Sequence, residues 1–218
     1  MSLDVYSTDI EQFGEIDNIC DIMDFNPSDV PFIPDIIWAS PPCTGFSVAC
    51  IGRNWVSGKV FEPKTESAEL GIKLMNRTME IIQHFQSLNP NLIWFVENPR
   101  GKMRKSPHWK EMHHTRRTVS YCKYGDSRMK PTDIWTNDFD WRPKPLCKYF
   151  KYDKNDNVIK RHCHHDESPR GTKKGGTQSL NDNHERSMIP KELCQEILSS
   201  AILPKTSRAF YSQAKLQL

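Results

Sequence analysis

Apolar positions along this chain fall into a few short runs separated by polar, proline-rich stretches. Leu3–Thr8 alternates apolar and polar residues, the period of a half-buried strand, and leads to Asp9. Asn18–Ile22 offers a second short strand. Asp35–Ala39 is a partly β-branched apolar run stopped by Ser40-Pro41-Pro42, which predicts a buried parallel strand ending in a loop. Thr44–Thr65 has no clear period and reads as a loop. Glu66–Leu88 carries Leu70, Leu74, Met75, Met79, Ile81, Ile82 and Phe85 at helical spacing, and Asn89-Pro90-Asn91 stops it. Leu92–Val96 predicts another buried strand, stopped at Glu97-Asn98-Pro99. Arg117–Tyr124 and Thr132–Thr136 read as later strands around a turn at 126–131. Residues 142–188 are polar and aperiodic, a long loop or small irregular subdomain. Lys191–Ala201 follows Pro190 as a short closing helix. Strands alternating with a long helix argue for an α/β fold with a parallel sheet.

Composition narrows the class. The 218 residues include six Trp and ten Phe, enough aromatic mass to argue against a disordered chain. No stretch approaches the roughly 20 apolar residues of a membrane span. The N-terminus does not read as a secretory signal, and seven irregularly spaced Cys do not read as a disulfide scaffold. The expected setting is therefore a reducing cytoplasm.

The net charge of +3 conceals an asymmetry. Residues 1–52 contain nine acids and no Lys or Arg, so the remainder carries +12. Arg100–Arg117 holds seven basic residues against one acid, and Arg142–Lys174 holds ten against four. Aromatics interleave with both blocks (Trp109, Trp141, Tyr149, Phe150, Tyr152), a pattern suited to a polyanion such as nucleic acid.

Two predicted strand ends carry reactive groups, and ligands of open α/β sheets bind at such ends. One is Ser40-Pro41-Pro42-Cys43, the other Glu97-Asn98-Pro99. A thiol presented by a rigid Pro-Pro turn and a carboxyl group on the adjacent strand end suit covalent catalysis. The thiolate adds to an electron-poor carbon while the acid supplies a proton.

Pro41-Pro42-Cys43-Thr44-Gly45-Phe46-Ser47 resembles the Pro-Cys-x-x-Phe-Ser motif of DNA cytosine-5 methyltransferases, and Phe95-Val96-Glu97-Asn98-Pro99 resembles their Glu-Asn motif. Tyr124-Gly125-Asp126-Ser127-Arg128-Met129-Lys130 is similar to their later Tyr-Gly motif with its Gln-x-Arg-x-Arg tail. Glu185–Pro190 is weakly similar to the last motif. The small phage-type members are the nearest likeness. The resemblance implies a Rossmann-like methyltransferase sheet, mostly parallel, and transfer of a methyl group from S-adenosylmethionine to carbon 5 of a cytosine. Cys43 would attack carbon 6, Glu97 would protonate or hydrogen-bond ring nitrogen 3, and Arg128 and Lys130 would hold the base carbonyl or the loop. Asp9 would bond the cofactor ribose and Asp21 its adenine amine, with Ile10, Ile22, Pro41 and Asn98 completing that site. The target base would be flipped out of duplex DNA.

The chain also departs from that pattern. Thr44 stands where the family has Gln, Pro99 where it has Val, and Lys130 and Thr132 where it has two Arg. No Gly-rich Phe-x-Gly-x-Gly loop precedes Asp9. On this reading the chain starts at the fold's second strand, the central first strand is missing, and a second chain is one way to fill the slot. The expected organisation is a catalytic core over 1–141, a basic target-contacting insertion over 142–188 and a closing helix in 189–218. A catalytically inactive nucleic-acid-binding relative and an RNA cytosine-5 methyltransferase are the competing readings. Cys147, Cys163, His162, His164 and His165 lack a close Cys-x-x-Cys pair, so no metal site is assigned. Arg170–Thr177 is Gly-rich and cationic but not a Walker pattern, and suits contact with a DNA backbone.

Overall fold

The computed structural model describes residues 3–147, 151–155, 158–160 and 183–202. The elements run β1 (Thr8–Asp9), β2 (Asn18–Ile19), β3 (Ile36–Ala39), α1 (Ile51–Asn54), α2 (Glu66–Leu88), β4 (Ile93–Pro99), α3 (Pro107–Glu111), β5 (Arg116–Ser120), β6 (Pro131–Thr136), β7 (Lys151–Tyr152), β8 (Val158–Lys160), α4 (Asn183–Ser187) and α5 (Lys191–Ile202). The architecture is α/β, built on a mixed four-stranded sheet in the order β3-β4-β6-β5.

The long helix α2 has the bounds that the apolar stripe predicts, although Leu70 of that stripe is exposed and Ile81 half-buried. Thr65 caps it, its hydroxyl accepting from the Ala68 N–H, and Glu66 and Glu69 complement the positive end of the helix dipole. Its buried face includes Leu74, Met75, Met79, Ile82 and Phe85. That face packs on one side of the sheet with Trp94, Val96 and Trp135. The other side takes α5, through Leu193, Ile197 and Ala201 against Phe95, Val119, Ile134 and Trp141. Strand alternation thus divides β4: Trp94 and Val96 face α2, Phe95 faces α5.

Several expectations are corrected. The sheet is not mostly parallel. Only β3 and β4 run parallel in it, while β6 is antiparallel to both β4 and β5. Tyr121–Lys130 is too short for a crossover and permits only a hairpin-like return. The strand expected over Leu3–Thr8 is only Thr8–Asp9, and it pairs with Asn18–Ile19 in a separate two-stranded parallel ladder. Direct pairing of this segment with the Asp35–Ala39 run does not occur, and β3 hydrogen-bonds to β4 alone among the described residues. Glu97-Asn98-Pro99 does not stop β4 but forms its last three ladder positions, opposite Ile134, Asp133 and Thr132. The loop read over Thr44–Thr65 contains a 3-10 turn (Val48–Cys50) and α1. Trp109 and Trp141 are 0% and 1% exposed, so they are core residues and not stacking platforms. Cys163, the His162–His165 cluster and Arg170–Thr177 lie outside the described residues.

No described helix is long and apolar enough to cross a membrane, and the six described cysteines are free thiols.

Candidate active site

Cys43 sits just beyond the carboxyl end of β3. Pro41 is buried and Cys43 half-buried, and the Cys43 carbonyl accepts from the N–H groups of Phe46 and Ser47, both at 2.9 Å. That tight turn anchors on the fully buried Phe46, which packs against Trp55. Glycine is required twice nearby. A Cβ on Gly45 would meet the Ser67 carbonyl at 2.9 Å, and one on Gly101 would lie 2.2 Å from the Phe46 carbonyl. The second approach lets Gly101 bridge to Ser47 and the Lys102 N–H reach Phe46 O at 2.8 Å. The loop after Cys43 is thereby laced to the loop after Glu97-Asn98.

Within β4, Asn98 ties the two strand ends together directly: its Nδ2 donates to the Pro41 carbonyl at 2.9 Å. Its Oδ1 is buried with no hydrogen-bond partner among the described residues. Glu97 alternates to the opposite side and is 5% exposed. The Tyr121 hydroxyl donates to Glu97 Oε1 at 2.8 Å. Burial pushes the Glu97 carboxyl above the ordinary carboxylate range, partly offset by the Lys130 ammonium and the Tyr121 hydrogen bond. Burial likewise raises the Cys43 thiol, and the Glu97 charge raises it further, whereas Lys130 and Arg186 favour the thiolate. The Lys130 ammonium is pulled down by burial and held up by Glu97 and then, after the opposing Arg128, by Cys43. The structure therefore brings Cys43, Glu97 and Lys130 within electrostatic reach of one another.

Lys130 and Arg128 differ in position. Lys130 has φ +23°, a conformation few non-glycine residues adopt. Its Nζ lies 4.7 Å over the Tyr121 ring and donates to the Arg186 carbonyl at 2.9 Å. Arg128 is 6% exposed and fully committed elsewhere. It pairs with Asp126 and donates to the carbonyls of Glu185, Arg186 and Met188. Of its two expected roles, holding the base carbonyl or the loop, these contacts are those of a loop clamp.

Asp9 ends β1 and Asp21 follows β2, on a ladder not hydrogen-bonded to the main sheet. Each carboxylate accepts the backbone N–H two residues on, from Glu11 and Met23. Ile10 is 63% exposed and Ile22 half-buried. The Ile22 carbonyl accepts from Arg77 of α2, which fastens this segment to the core.

Tyr121 is the site residue that sequence reading misses. It falls in a segment predicted as strand, where a tyrosine reads as ordinary core. The chain leaves β5 after Ser120 in a 3-10 turn, Tyr121–Tyr124, closed by left-handed Gly125. That turn aims the Tyr121 hydroxyl at Glu97.

No protein-family model matches the chain, and no solved structure matches it. One curated protein does: a probable DNA (cytosine-5)-methyltransferase of Frog virus 3 (isolate Goorha), 34% identical over 119 residues, covering 50% of this chain and 49% of that protein. The chain thus spans about half the length of the relative it matches. With the Pro-Cys turn and the Glu-Asn strand end brought to the same end of the parallel pair β3–β4, that identity makes this chain a relative of a probable DNA (cytosine-5)-methyltransferase.

Proposed function

We propose that the chain is a cytosine-5 methyltransferase acting on DNA through a covalent Cys43 adduct. The observation that carries the reading is the electrostatic grouping of Cys43, Glu97 and Lys130 at the ends of the parallel pair β3–β4. Cys43 Sγ forms a bond to carbon 6 of a flipped cytosine, and the ring electrons shift toward nitrogen 3. Glu97, whose carboxyl is pushed toward its protonated form by burial, delivers a proton there, so no net negative charge builds on the ring. Tyr121 fixes Glu97 Oε1 and leaves Oε2 for the base. Lys130 stabilises the thiolate before attack and the ionised Glu97 after it. Once carbon 5 carries its new substituent, solvent water takes its proton, the C5–H electron pair expels Sγ as the thiolate, and nitrogen 3 returns its proton to Glu97.

S-adenosylmethionine supplies the methyl group when bound. Support for its fit comes from the orphaned Asn98 Oδ1, a buried acceptor suited to an ammonium or N–H donor. Asp9 and Asp21, with Ile10, Ile22 and Pro41 alongside, would hold the nucleoside end.

The test is incubation of the chain with S-adenosylmethionine and a duplex containing 5-fluorocytosine. A covalent protein–DNA adduct that disappears in Cys43→Ser is the expected result, and an adduct that survives the substitution overturns the assignment. A second reading, a non-catalytic nucleic-acid-binding relative, draws on the separation of the β1–β2 ladder from the main sheet. It expects DNA binding without adduct.

A further inference from the structure

Behind the two laced loops lies a cleft of about 350 Å³ lined by Ile51, Lys59, Val60, Gly101, Lys102 and Lys105. Three of its six lining residues are lysines and none is an acid. No ion pair engages Lys59, Lys102 or Lys105 among the described residues. Lys59 and Lys105 are exposed and Lys102 half-buried. Lys102 is not a freely solvated cation. Its Nζ donates to the Lys59 carbonyl at 3.2 Å and stands 5.3 Å over the Trp55 ring, which is 2% exposed. Holding one ammonium in place beside two others concentrates like charge in a concave surface, and an anion relieves that repulsion. The cleft is open along its outer side, a shape that suits a passing strand better than an enclosed small anion. Its walls are part of the site: Gly101 bridges Ser47, four residues after Cys43, and itself follows Glu97 by four.

We propose that this three-lysine cleft is a phosphodiester-binding site that seats the DNA backbone beside the target cytosine. The proposal rests on the DNA reading above and names where that strand lies. Lys102 is the fixed anchor, while Lys59 and Lys105 close on the phosphates from either loop. Because the contacts are to phosphate, they position the strand and carry no sequence preference.

The experiment is fluorescence-anisotropy titration of the full chain with a labelled 20-base-pair duplex between 50 and 200 mM salt. It compares wild type with K59Q/K105Q, which spares the Lys102–Trp55 contact, and with a control, K73Q/K191Q, on helices α2 and α5. Loss of two phosphate contacts lowers the log–log salt slope by about 1.8, so the fourfold salt rise costs the cleft variant about twelvefold less affinity than wild type. The control keeps the wild-type slope, and the loss in K59Q/K105Q is uniform across duplex sequences. Inorganic pyrophosphate at millimolar concentration serves as competitor. Stronger displacement by it than its ionic strength explains would identify a small-anion site and overturn the backbone assignment. An unchanged slope in K59Q/K105Q, or an equal drop in the control, overturns the cleft while leaving the DNA reading standing. Absence of any DNA binding by wild type overturns both.

Discussion

At the scale of single residues, burial pushes two acids of the candidate site toward their neutral forms, and one cation opposes both shifts. Burial raises Glu97 and Cys43 alike, and Lys130 moderates both shifts. The linkage consequence for Glu97 has a definite sign. Its folded-state pKa lies above the unfolded value of about 4.3, so its contribution to stability is fully present below that value. It is lost as pH rises through the folded value. Glu97→Gln keeps an acceptor for Tyr121 but cannot ionise. Thermal melts from pH 4 to pH 8 should therefore show the variant gaining on wild type as pH rises. A constant difference would mean that burial does not raise the Glu97 carboxyl. Tyr121→Phe acts on the same carboxyl group. It removes the hydrogen bond that favours ionised Glu97, so the midpoint of the Glu97-dependent limb in the pH profile of adduct formation should move up. A purely structural role would lower the rate equally at every pH.

At the scale of elements, the buried Arg104–Asp133 pair fixes how the loop after β4 returns to β6. Asp133 is 0% exposed, accepts from Arg104 Nε at 2.8 Å and from the Thr118 hydroxyl at 2.8 Å. Asp133→Asn strands the half-buried guanidinium without its partner charge, and urea titration should show a loss of about 3–5 kcal/mol. Met79→Ala, which empties the core under α2, should cost about 2–5 kcal/mol in the same assay. These elements differ in how plainly the sequence announces them. The α2 helix is legible because its stripe, its Thr65 cap and its Asn89 stop agree. The Cys43 turn is legible because Pro41-Pro42 can do little else. The end of β4 is not, because Asn98 and Pro99 are ordinary loop residues, and only pairing with Asp133 and Thr132 of β6 makes them strand. The antiparallel course of β6 is hidden for the same reason: it depends on a turn whose Asp126–Arg128 clamp becomes visible only with its distant partners in α4 and beyond.

At the scale of the whole molecule, the open edge of β3 and the isolation of β1–β2 bear on cofactor affinity. Ile36 and Trp38 pack toward the α5 side and Ile37 and Ala39 toward α2, yet all four are only partly buried, because one ladder edge has no neighbour among the described residues. Such an edge is a pairing surface for a further parallel strand. Asp9 ends, and Asp21 follows, a ladder not hydrogen-bonded to that sheet. Acceptors alone, without backbone amides arranged around the ligand, provide little preorganisation. Calorimetric titration of the chain by itself is therefore expected to give weak binding, with Kd about 1 mM or above. Asp9→Ala and Asp21→Ala should weaken it further. A polypeptide that adds a strand to the β3 edge and brings a glycine loop with it should tighten binding. Micromolar affinity in the chain alone would show that the β1–β2 segment already frames the cofactor and that the open edge has no part in binding it.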